Sequence, residues 1–402
     1  MDTEEFDLIA ELVTDEMEPA PHLLCDINYL YEAFRKSMQG SSWKSQPQKF
    51  EQNVLYELAK ISDSLEDLSY TVDPTTEFVL NERGKTRYIH GNTIKDRIVR
   101  HNLCDNIISP AIDKYLIYNN GASQKGKGLS FARKMFEKHL HNFYLKYKDV
   151  DGYVLFIDFS KFYDNIPHKE TKDMFEGLLD EKSEWLFNVI INSFNIDITN
   201  YPDISPNDKF DSIKFHQLTP NESENFPQRF LNKGIDIGDQ TSQNIGVFYP
   251  TRVDTYATVV RGHKWYGRYM DDIYIIDRDK EYLKETYDGI KKIAAEYGLF
   301  INDKKTRLCK LTNTFKYLQI KYFMTDTGKV VKRINPKSVT RERRKLKNYK
   351  RLLDKGVMKY RDIIQAYKSW ICDYHKLMSS MQLTNMQSLY KELFGETVRY
   401  KK

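Results

Sequence analysis

The segment from Tyr266 to Ile276 constrains the fold of this chain more than any other. It reads Tyr-Gly-Arg-Tyr-Met-Asp-Asp-Ile-Tyr-Ile-Ile, with aromatic and β-branched residues on both sides of Asp271 and Asp272. This pattern predicts two short strands that meet at a tight turn, with the acid pair at its tip. Adjacent carboxylates repel each other, so they need a cation, a basic side chain or open water nearby. Taken alone, such a pair is also compatible with a solvated hairpin turn.

A third carboxylate belongs to Asp158, which ends the apolar run that starts at Tyr153. A run of this kind predicts a buried strand that delivers its last side chain to the rim of a sheet. If this strand lies beside the predicted hairpin, the three carboxylates converge. Oxygen ligands of this type suit two Mg²⁺ ions, which can activate an attacking 3'-hydroxyl and stabilise a departing pyrophosphate.

The other segments alternate between helical and β-like patterns. Apolar spacing predicts two helices between residues 26 and 68, the second with Leu55 on its buried side. Residues 70–94 predict a hairpin with its turn at Asn81–Gly84. Further helices are predicted over 96–115, after residue 128, over 181–194, up to residue 248, over 283–297, after residue 336 and around 363–371, and a strand pair over 315–323.

Three motifs together resemble those of reverse transcriptases, in the order that this family requires. They are Tyr-Met-Asp-Asp, the segment Asp-Phe-Ser-Lys-Phe-Tyr over 158–163, and Gly-Ile-Asp-Ile-Gly-Asp-Gln-Thr-Ser-Gln over 234–243. The resemblance covers roughly residues 29–370 and implies an α+β right-hand polymerase with fingers, palm and a small helical thumb. The implied divisions are an acidic N-terminal tail (1–25), fingers (26–150), a palm (151–328) with an insertion near 195–232, and the helical thumb (329–402).

The resemblance also implies roles for particular residues. Asp158, Asp271, Asp272 and the backbone carbonyl of Phe159 would hold two Mg²⁺ ions, with Mn²⁺ as an alternative. Lys305 would give a proton to the pyrophosphate, a salt bridge being its other reading. Nucleotide and template contacts would come from Arg87, Lys125, Lys127, Phe159, Tyr163, Ile237, Gly238, Ser242 and Gln243.

Two of these implied contacts carry alternatives. The ring of Tyr163 would lie beneath the sugar of the incoming nucleotide and exclude a 2'-hydroxyl, or it is only a core aromatic residue. Lys125 and Lys127 stand in a glycine-rich loop, where the family usually has an arginine just before Lys-Gly-Lys-Gly and this chain has Gln124. Backbone N–H groups and lysines in such a loop suit phosphate, although a plain surface loop fits the sequence equally well.

The charge is unevenly distributed along the chain. The net charge is +5, yet residues 1–20 hold eight acids without a Lys or Arg, whereas residues 329–360 hold thirteen basic residues against two acids. The basic stretch predicts a helix that binds a nucleic-acid duplex through Arg343, Arg344 and Lys347, or else a solvated helix face. The acidic start fits a disordered tail, a docking segment or a mimic of nucleic acid, and the sequence does not separate these.

Cysteine spacing and hydropathy predict the compartment. The four cysteines are scattered, with no Cys-x-x-Cys pair, which favours free thiols in a reducing environment. No apolar stretch approaches the ~20 residues that cross a membrane, and the first residues are acidic. We therefore expect a soluble cytoplasmic protein without a membrane partner, and the resemblance implies that a bacterium or phage encodes it.

One variation in the third motif indicates which group of reverse transcriptases the chain resembles most. The form Ile237-Gly238-x-x-x-Ser242-Gln243 is most similar to the reverse transcriptases of diversity-generating retroelements, whereas most others have Gln before that glycine and Pro after that serine. This likeness implies error-prone cDNA synthesis from an RNA template, a DNA or RNA primer and deoxynucleoside triphosphates, with a small accessory protein as a candidate partner.

Two other functions fit parts of the sequence. One is a phage-defence reverse transcriptase with an unusual mode of priming. The other is a non-catalytic nucleic-acid-binding scaffold, against which the three intact acids Asp158, Asp271 and Asp272 speak.

Overall fold

The computed structural model describes residues 23–82, 85–194, 196–197, 230–231 and 233–399. Most of the predicted acidic tail, nearly all of the predicted insertion near 195–232 and the second half of the predicted Asn81–Gly84 turn lie outside these residues. In the described part helices and strands mix, which confirms the α+β class.

Three helices, not two, occupy the first described stretch: α1 (Ile27–Met38), α2 (Ser45–Gln52) and α3 (Val54–Glu66). Asn53, with φ −126° and ψ 33°, breaks the predicted second helix into α2 and α3. The break resets the helical phase, so the prediction that Leu55 is buried is wrong: its side chain is 67% exposed. Leu58 and Ile61 pack inward as predicted.

The predicted hairpin and the helix after it are both present. Strands β1 (Thr76–Glu82) and β2 (Lys85–Gly91) pair antiparallel, with Glu82 opposite Lys85. Helix α4 (Ile94–Leu103) continues through a π-helical turn (Cys104–Ile108) into α5 (Ser109–Asp113). The side chain of Thr93 caps α4 by accepting a hydrogen bond from the Asp96 N–H.

A four-stranded antiparallel sheet forms the centre of the molecule. Its order is β6 (Tyr266–Tyr269), β7 (Asp272–Asp277), β3 (Tyr153–Asp158) and β8 (Arg307–Lys310). Alternate side chains of β3 enter two separate cores, with Val154 and Phe156 on one face and Leu155 and Ile157 on the other. Because both faces are covered, β3 reads as a continuous apolar run rather than an alternating one.

Helices cover both faces of this sheet. Helix α6 (Leu129–Tyr147) covers one face, and its Phe136 ring lies 6.0 Å from that of Phe156. The opposite core receives the predicted helices α9 (Glu181–Ser193), α10 (Gln240–Phe248) and α12 (Lys280–Glu296). The sequence reading missed three shorter helices and a second π-helical turn: α7 (Phe162–Asn165), α8 (His168–Phe175), α11 (Thr251–Thr255) and the turn Tyr256–Val260. A two-residue pair, β4 (Ile196–Asp197) and β5 (Phe230–Leu231), completes this part.

The predicted strand pair after residue 314 belongs to a three-stranded sheet of β9 (Phe315–Tyr317), β10 (Ile320–Met324) and β11 (Val330–Ile334). The β9–β10 turn holds Leu318 at φ +41° and Gln319 at φ +73°. Two-residue hairpin turns with positive φ at both positions favour Gly or Asn, so this turn is strained. Arg133 of α6 holds it, because its Nε and Nη2 donate to the Leu318 carbonyl oxygen at 3.1 and 2.7 Å.

The chain after β11 is helical, with its own apolar core. One residue, Asn335, separates β11 from α13 (Pro336–Asp354) and caps that helix by accepting from the Lys337 N–H. Helix α14 (Tyr360–Tyr374) confirms the second predicted helix, and α15 (Ser380–Phe394) was not predicted. Among the described residues, no helix is long and apolar enough to cross a membrane, and all four cysteines are free thiols.

Candidate active site

Three acidic residues meet at one end of the central sheet, as the sequence predicted. Asp158 ends β3 and lies directly opposite Asp272, the first residue of β7, in antiparallel register. Asp271 precedes it in the β6–β7 turn, whose other central residue, Met270, has φ +54°. Side chains that face each other across an antiparallel pair have Cβ atoms about 5 Å apart, so the carboxylates of Asp158 and Asp272 lie on the same face of the sheet.

The electrostatics of this end of the sheet are those of crowded carboxylates. Burial, followed by the negative charges of Asp271 and Asp158, raises the pKa of Asp272 to about 7. Lys305 and Lys316 act in the opposite direction without cancelling the effect. Asp272 therefore changes its charge near neutral pH, and a nearby cation would favour the ionised form.

Lys305 forms an ion pair with one of these acids. Its Nζ lies 2.5 Å from Asp158 Oδ2, and half of the lysine side chain is exposed. The salt bridge that the sequence offered as one reading of Lys305 is therefore present. Because half of the lysine side chain is exposed, its ammonium group would be hydrated if it left Asp158.

The backbone hydrogen bonds next to Asp158 determine the direction of the Phe159 carbonyl group. The Ser160 N–H donates to the Phe300 carbonyl oxygen and the Asn302 N–H donates to the Asp158 carbonyl oxygen, each at 2.7 Å. Phe159 lies between these two bonds, opposite Ile301. In such antiparallel pairing the central residue's own C=O points away from the partner strand. The Phe159 carbonyl is therefore directed to the side of β3 on which β7 and the acidic turn lie.

The donor set suits a divalent metal ion by its chemistry. Asp158, Asp271, Asp272 and the Phe159 carbonyl are hard oxygen donors of the kind that Mg²⁺ prefers. In the described ranges, no three His, Cys, Asp or Glu side chains already converge as a complete metal site. Lys305 contacts one oxygen of Asp158, so a cation at that oxygen would compete with this ion pair.

Tyr163 lies beside the acidic turn. Its hydroxyl is 3.9 Å from Met270 Sδ, and a Cβ at Gly246 of α10 would come within 3.2 Å of the ring. Burial, then the charges of Asp271 and Asp239, raises the pKa of the Tyr163 hydroxyl to about 12. The neutral ring thus fills the space between the acidic turn and α10, and a side chain at 246 would crowd it.

The glycine-rich loop runs along the outer edge of β6. The Gly121 N–H donates to the Arg268 carbonyl oxygen at 2.9 Å, and Ser123 Oγ donates to Gln243 Oε1 at 3.3 Å. Lys127 turns back on the loop, with Nζ 3.0 Å from the Tyr118 carbonyl oxygen and 2.8 Å from Gln124 Oε1. Lys125 is exposed. The loop is therefore joined to the sheet edge and to α10, with Lys125 as its outward charge.

The segment before α10 holds the other predicted contacts. Gly238, at φ +96°, is exposed with open space around its Cα, and Ile237 is half-buried. Ser242 is buried, and its Oγ has no hydrogen-bond partner in the described part of the chain. An unpartnered buried hydroxyl is a polar group available to a ligand.

The remaining predicted contacts lie farther out. Arg87 of β2 is near Asp164: burial raises the pKa of that carboxyl, whereas Lys161, Lys233 and Arg87 act to lower it. Arg343, Arg344 and Lys347 are exposed on α13. They are consistent with either of the two readings of the basic helix.

Sequence reasoning missed a buried ion pair that supports the acidic turn. The Arg268 side chain is completely buried, and its Nε and Nη2 donate to both carboxylate oxygens of Asp254 at 2.6–3.0 Å. The same guanidinium donates to the carbonyl oxygens of Val247 at 2.7 Å and Met270 at 3.3 Å. Arg268 thus connects the turn to α10 and α11. Its place in Tyr-Gly-Arg-Tyr, as a charge inside a predicted buried strand, was the available signal.

The pKa of Asp272 gives a testable consequence for stability. In the unfolded chain this carboxyl ionises near 3.8, so between about pH 4 and 7 the folded state retains a proton that the unfolded state loses. Stability of the natural chain therefore falls as pH rises through that window. Asp272→Asn removes this loss, and without metal we expect its advantage to grow from near zero at pH 4 to at most about 4 kcal/mol above pH 7.

Urea unfolding from pH 5 to 8 in the presence of a chelator measures this difference. Asp326→Asn, at an exposed turn position, is the matched control and should show no such trend. An advantage of Asp272→Asn that stays constant with pH would contradict the shifted ionisation.

The family model described as reverse transcriptase (RNA-dependent DNA polymerase) matches residues 79–322, more than half of the 402-residue chain. The match contains all three acids and the segments that surround them. No curated protein matches the chain. The chain belongs to the reverse transcriptase family, and it is an RNA-directed DNA polymerase, a nucleotidyltransferase.

Proposed function

We propose that the acidic end of the central sheet is the polymerase active site, and that it works with two metal ions. The observation that carries the proposal is the register of β3 and β7, which sets Asp158 opposite Asp272 with Asp271 beside them. The family uses an RNA template, a primer and deoxynucleoside triphosphates, and generally needs divalent metals such as Mg²⁺. When bound, Mg²⁺ would polarise the primer hydroxyl and neutralise the leaving pyrophosphate.

The protein's own groups have distinct tasks in this proposal. Asp158, Asp271, Asp272 and the Phe159 carbonyl hold the metal ions, which stabilise the ionised form of Asp272. Lys305 leaves Asp158 and donates a proton from its ammonium group to the pyrophosphate oxygen. Its half-exposed position, 2.5 Å from Asp158, supports this role because the side chain is already at the acidic site and free to swing.

We also propose the divisions of a right hand for the chain. Residues 26–150 are the fingers, 151–328 the palm around the central sheet, and 329–402 the helical thumb, although β11 pairs with β10 across the last boundary. The exposed Arg343, Arg344 and Lys347 of α13 bind the phosphates of the template–primer duplex. Arg87 and Lys125 approach the triphosphate, together with Lys127 once it leaves the Tyr118 carbonyl.

Tyr163 supplies selection against ribonucleotides in this arrangement. Its ring lies between Gly246 on one side and Met270 on the other, beside the acidic turn. Tyr163→Ala should reduce the preference for deoxynucleotides at least about tenfold, because it opens space for that hydroxyl. The measurement is kcat/KM for a deoxy- and a ribonucleotide on the same primer. Tyr56→Ala, at a 62% exposed tyrosine in α3, is the control. An unchanged ratio would make Tyr163 a core residue only.

Within the family, we propose error-prone cDNA synthesis of the diversity-generating type, with a small accessory protein as a further partner. Ile237 is the residue that supports it. A glutamine at that place can hydrogen-bond near the templating pair, whereas isoleucine offers only shape and apolar contact. A mismatched pair therefore loses fewer specific interactions at this site.

Ile237→Gln tests this proposal. One added hydrogen bond should lower misincorporation by about 3- to 10-fold while extension is preserved. The products of both enzymes on one RNA template are sequenced, and the errors opposite each template base are counted. Ile293→Val, on the sheet-facing side of α12, is a control for altered packing. Equal error spectra would remove Ile237 from the fidelity mechanism.

A further inference from the structure

Ile237 and Gly238 lie between two acidic residues that are both bonded to earlier parts of the chain. On one side, Asp236 Oδ1 is 2.7 Å from His90 Nδ1 in strand β2. On the other, Asp239 Oδ2 accepts from Asn92 Nδ2 at 2.7 Å and from Arg100 Nη1 of α4 at 3.0 Å. Side chains that precede residue 101 therefore hold both ends of this short segment.

The two attachments differ in their surroundings. The Arg100–Asp239 pair is completely buried, its guanidinium also donates to Ser193 Oγ at 3.2 Å, and it lies 5.0 Å from the Phe194 ring. A pair of this kind is part of the fold, and its loss would destabilise the protein. The His90–Asp236 pair is at the surface, with side chains 30% and 15% exposed.

The backbone next to Asp236 is fixed on its other side. The Gly234 N–H donates to the Ile166 carbonyl oxygen at 2.8 Å, and the Ile235 N–H donates to the Tyr163 carbonyl oxygen at 3.1 Å. Beyond Ile235, the next attachments are the side chains of Asp236 and Asp239. Gly238, in the left-handed region with open space around it, leaves the segment between them adaptable.

We propose that His90 and Asp236 form a positioning pair through which the β1–β2 hairpin sets the location of Ile237 and so the affinity for the incoming nucleotide. This inference rests on the proposed role of Ile237 beside the templating pair. Strands β1 and β2 form a two-stranded sheet of their own. The β1–β2 hairpin is not hydrogen-bonded to another strand of the described sheets. A displacement of the hairpin therefore reaches Ile237 through the contact between His90 and Asp236.

His90 and Asp236 are not among the three site acids. They act on the nucleotide through Ile237, so they are positioning residues. Loss of the pair should lower nucleotide affinity more than the rate of the chemical step. It should have a smaller effect on stability than loss of the completely buried Arg100–Asp239 pair, since the His90 and Asp236 side chains are 30% and 15% exposed.

The test compares His90→Gln, Asp236→Asn and the double variant in full-length protein with an RNA template and DNA primer. We expect KM for the correct nucleotide to rise about 3- to 10-fold in each single variant with kcat within about twofold, as for loss of one charge-assisted hydrogen bond. The double variant should resemble the singles, because both remove the same contact. Thr86→Ala, on the same strand and with a hydroxyl that donates to Asn81 Oδ1, is the matched control.

Three results would contradict the positioning role. The first is a KM in the single variants equal to that of Thr86→Ala. The second is an equal loss in kcat and in nucleotide affinity together with a lowered melting temperature, and the third is additive effects in the double variant. Ile237→Gln in the same assay separates this inference from the proposed function. If Ile237→Gln alters misincorporation and His90→Gln leaves KM unchanged, the pair fails and the role of Ile237 stands. If Ile237→Gln changes nothing and the two pair variants raise KM together, the coupling stands and the fidelity role of Ile237 fails.

Discussion

Asp158→Ala and Asp271→Asn should each lower primer extension by on the order of 10³-fold or more while the protein stays folded. Each change takes an oxygen donor from the proposed metal-binding group, and loss of several kcal/mol of charge stabilisation corresponds to a rate loss of this size. Neither change leaves a buried charge without a partner. Lys305 is half exposed, and Asp271→Asn removes a negative charge that disfavours ionisation of Asp272.

The measurement is single-turnover extension of a DNA primer on an RNA template with Mg²⁺, alongside thermal unfolding of each variant. Asp326→Asn removes an acid from an exposed turn and should retain full activity. Full activity in a folded Asp158→Ala or Asp271→Asn variant would contradict the site assignment. Retained binding of template–primer, measured separately, would show that the loss lies in the chemical step.

Arg268→Met should produce the largest loss of stability, about 3–5 kcal/mol. The change leaves the Asp254 carboxylate buried without its guanidinium partner, and the Tyr266 hydroxyl alone remains to donate to it at 2.5 Å. An uncompensated buried charge costs this much in proteins. The carbonyl oxygens of Val247 and Met270 lose a donor as well, so the acidic turn loses its connection to α10.

Urea unfolding of Arg268→Met and of the double variant Arg268→Met/Asp254→Leu measures this loss. The double variant should recover much of the stability, because it removes the stranded charge. Arg278→Met breaks an exposed ion pair with Asp149 and should cost no more than about 1 kcal/mol. If Arg268→Met were as mild as Arg278→Met, the buried pair would not support the turn.

Sequence reasoning found the parts of the site that short local sequence patterns mark. The apolar run that ends at Asp158 and the acid pair of the hairpin each mark the end of a strand, and strand ends meet at the rim of a sheet. Helix α13 was predictable because Leu346 and its apolar neighbours recur among charged residues. The capping box of Ser379 and Gln382 was an equally readable signal for α15, but it was overlooked.

The parts that it missed depend on contacts between distant segments. His90 lies 146 residues from Asp236, and Arg100 lies 139 residues from Asp239, so no local pattern could pair them. Leu55 failed for a different reason. Its apolar spacing continues across Asn53, and only the backbone break there turns it outward. Lys305 was assigned by resemblance, and its contact with Asp158 joins residues 147 apart.

Asn335 is the single residue between strand β11 and helix α13, so it joins the three-stranded sheet closely to the C-terminal helices. Ile334 pairs with Ile320 in the three-stranded sheet and also packs in the core of the C-terminal helices. Because only one residue separates β11 from α13, a rotation of α13 would also displace β11 and the strand β10 that pairs with it. The strained Leu318–Gln319 turn, which Arg133 holds against α6, immediately precedes Ile320 at this same end of β10. In the proposed function, a force that a moving duplex applies to α13 would reach this strained turn through β11 and β10.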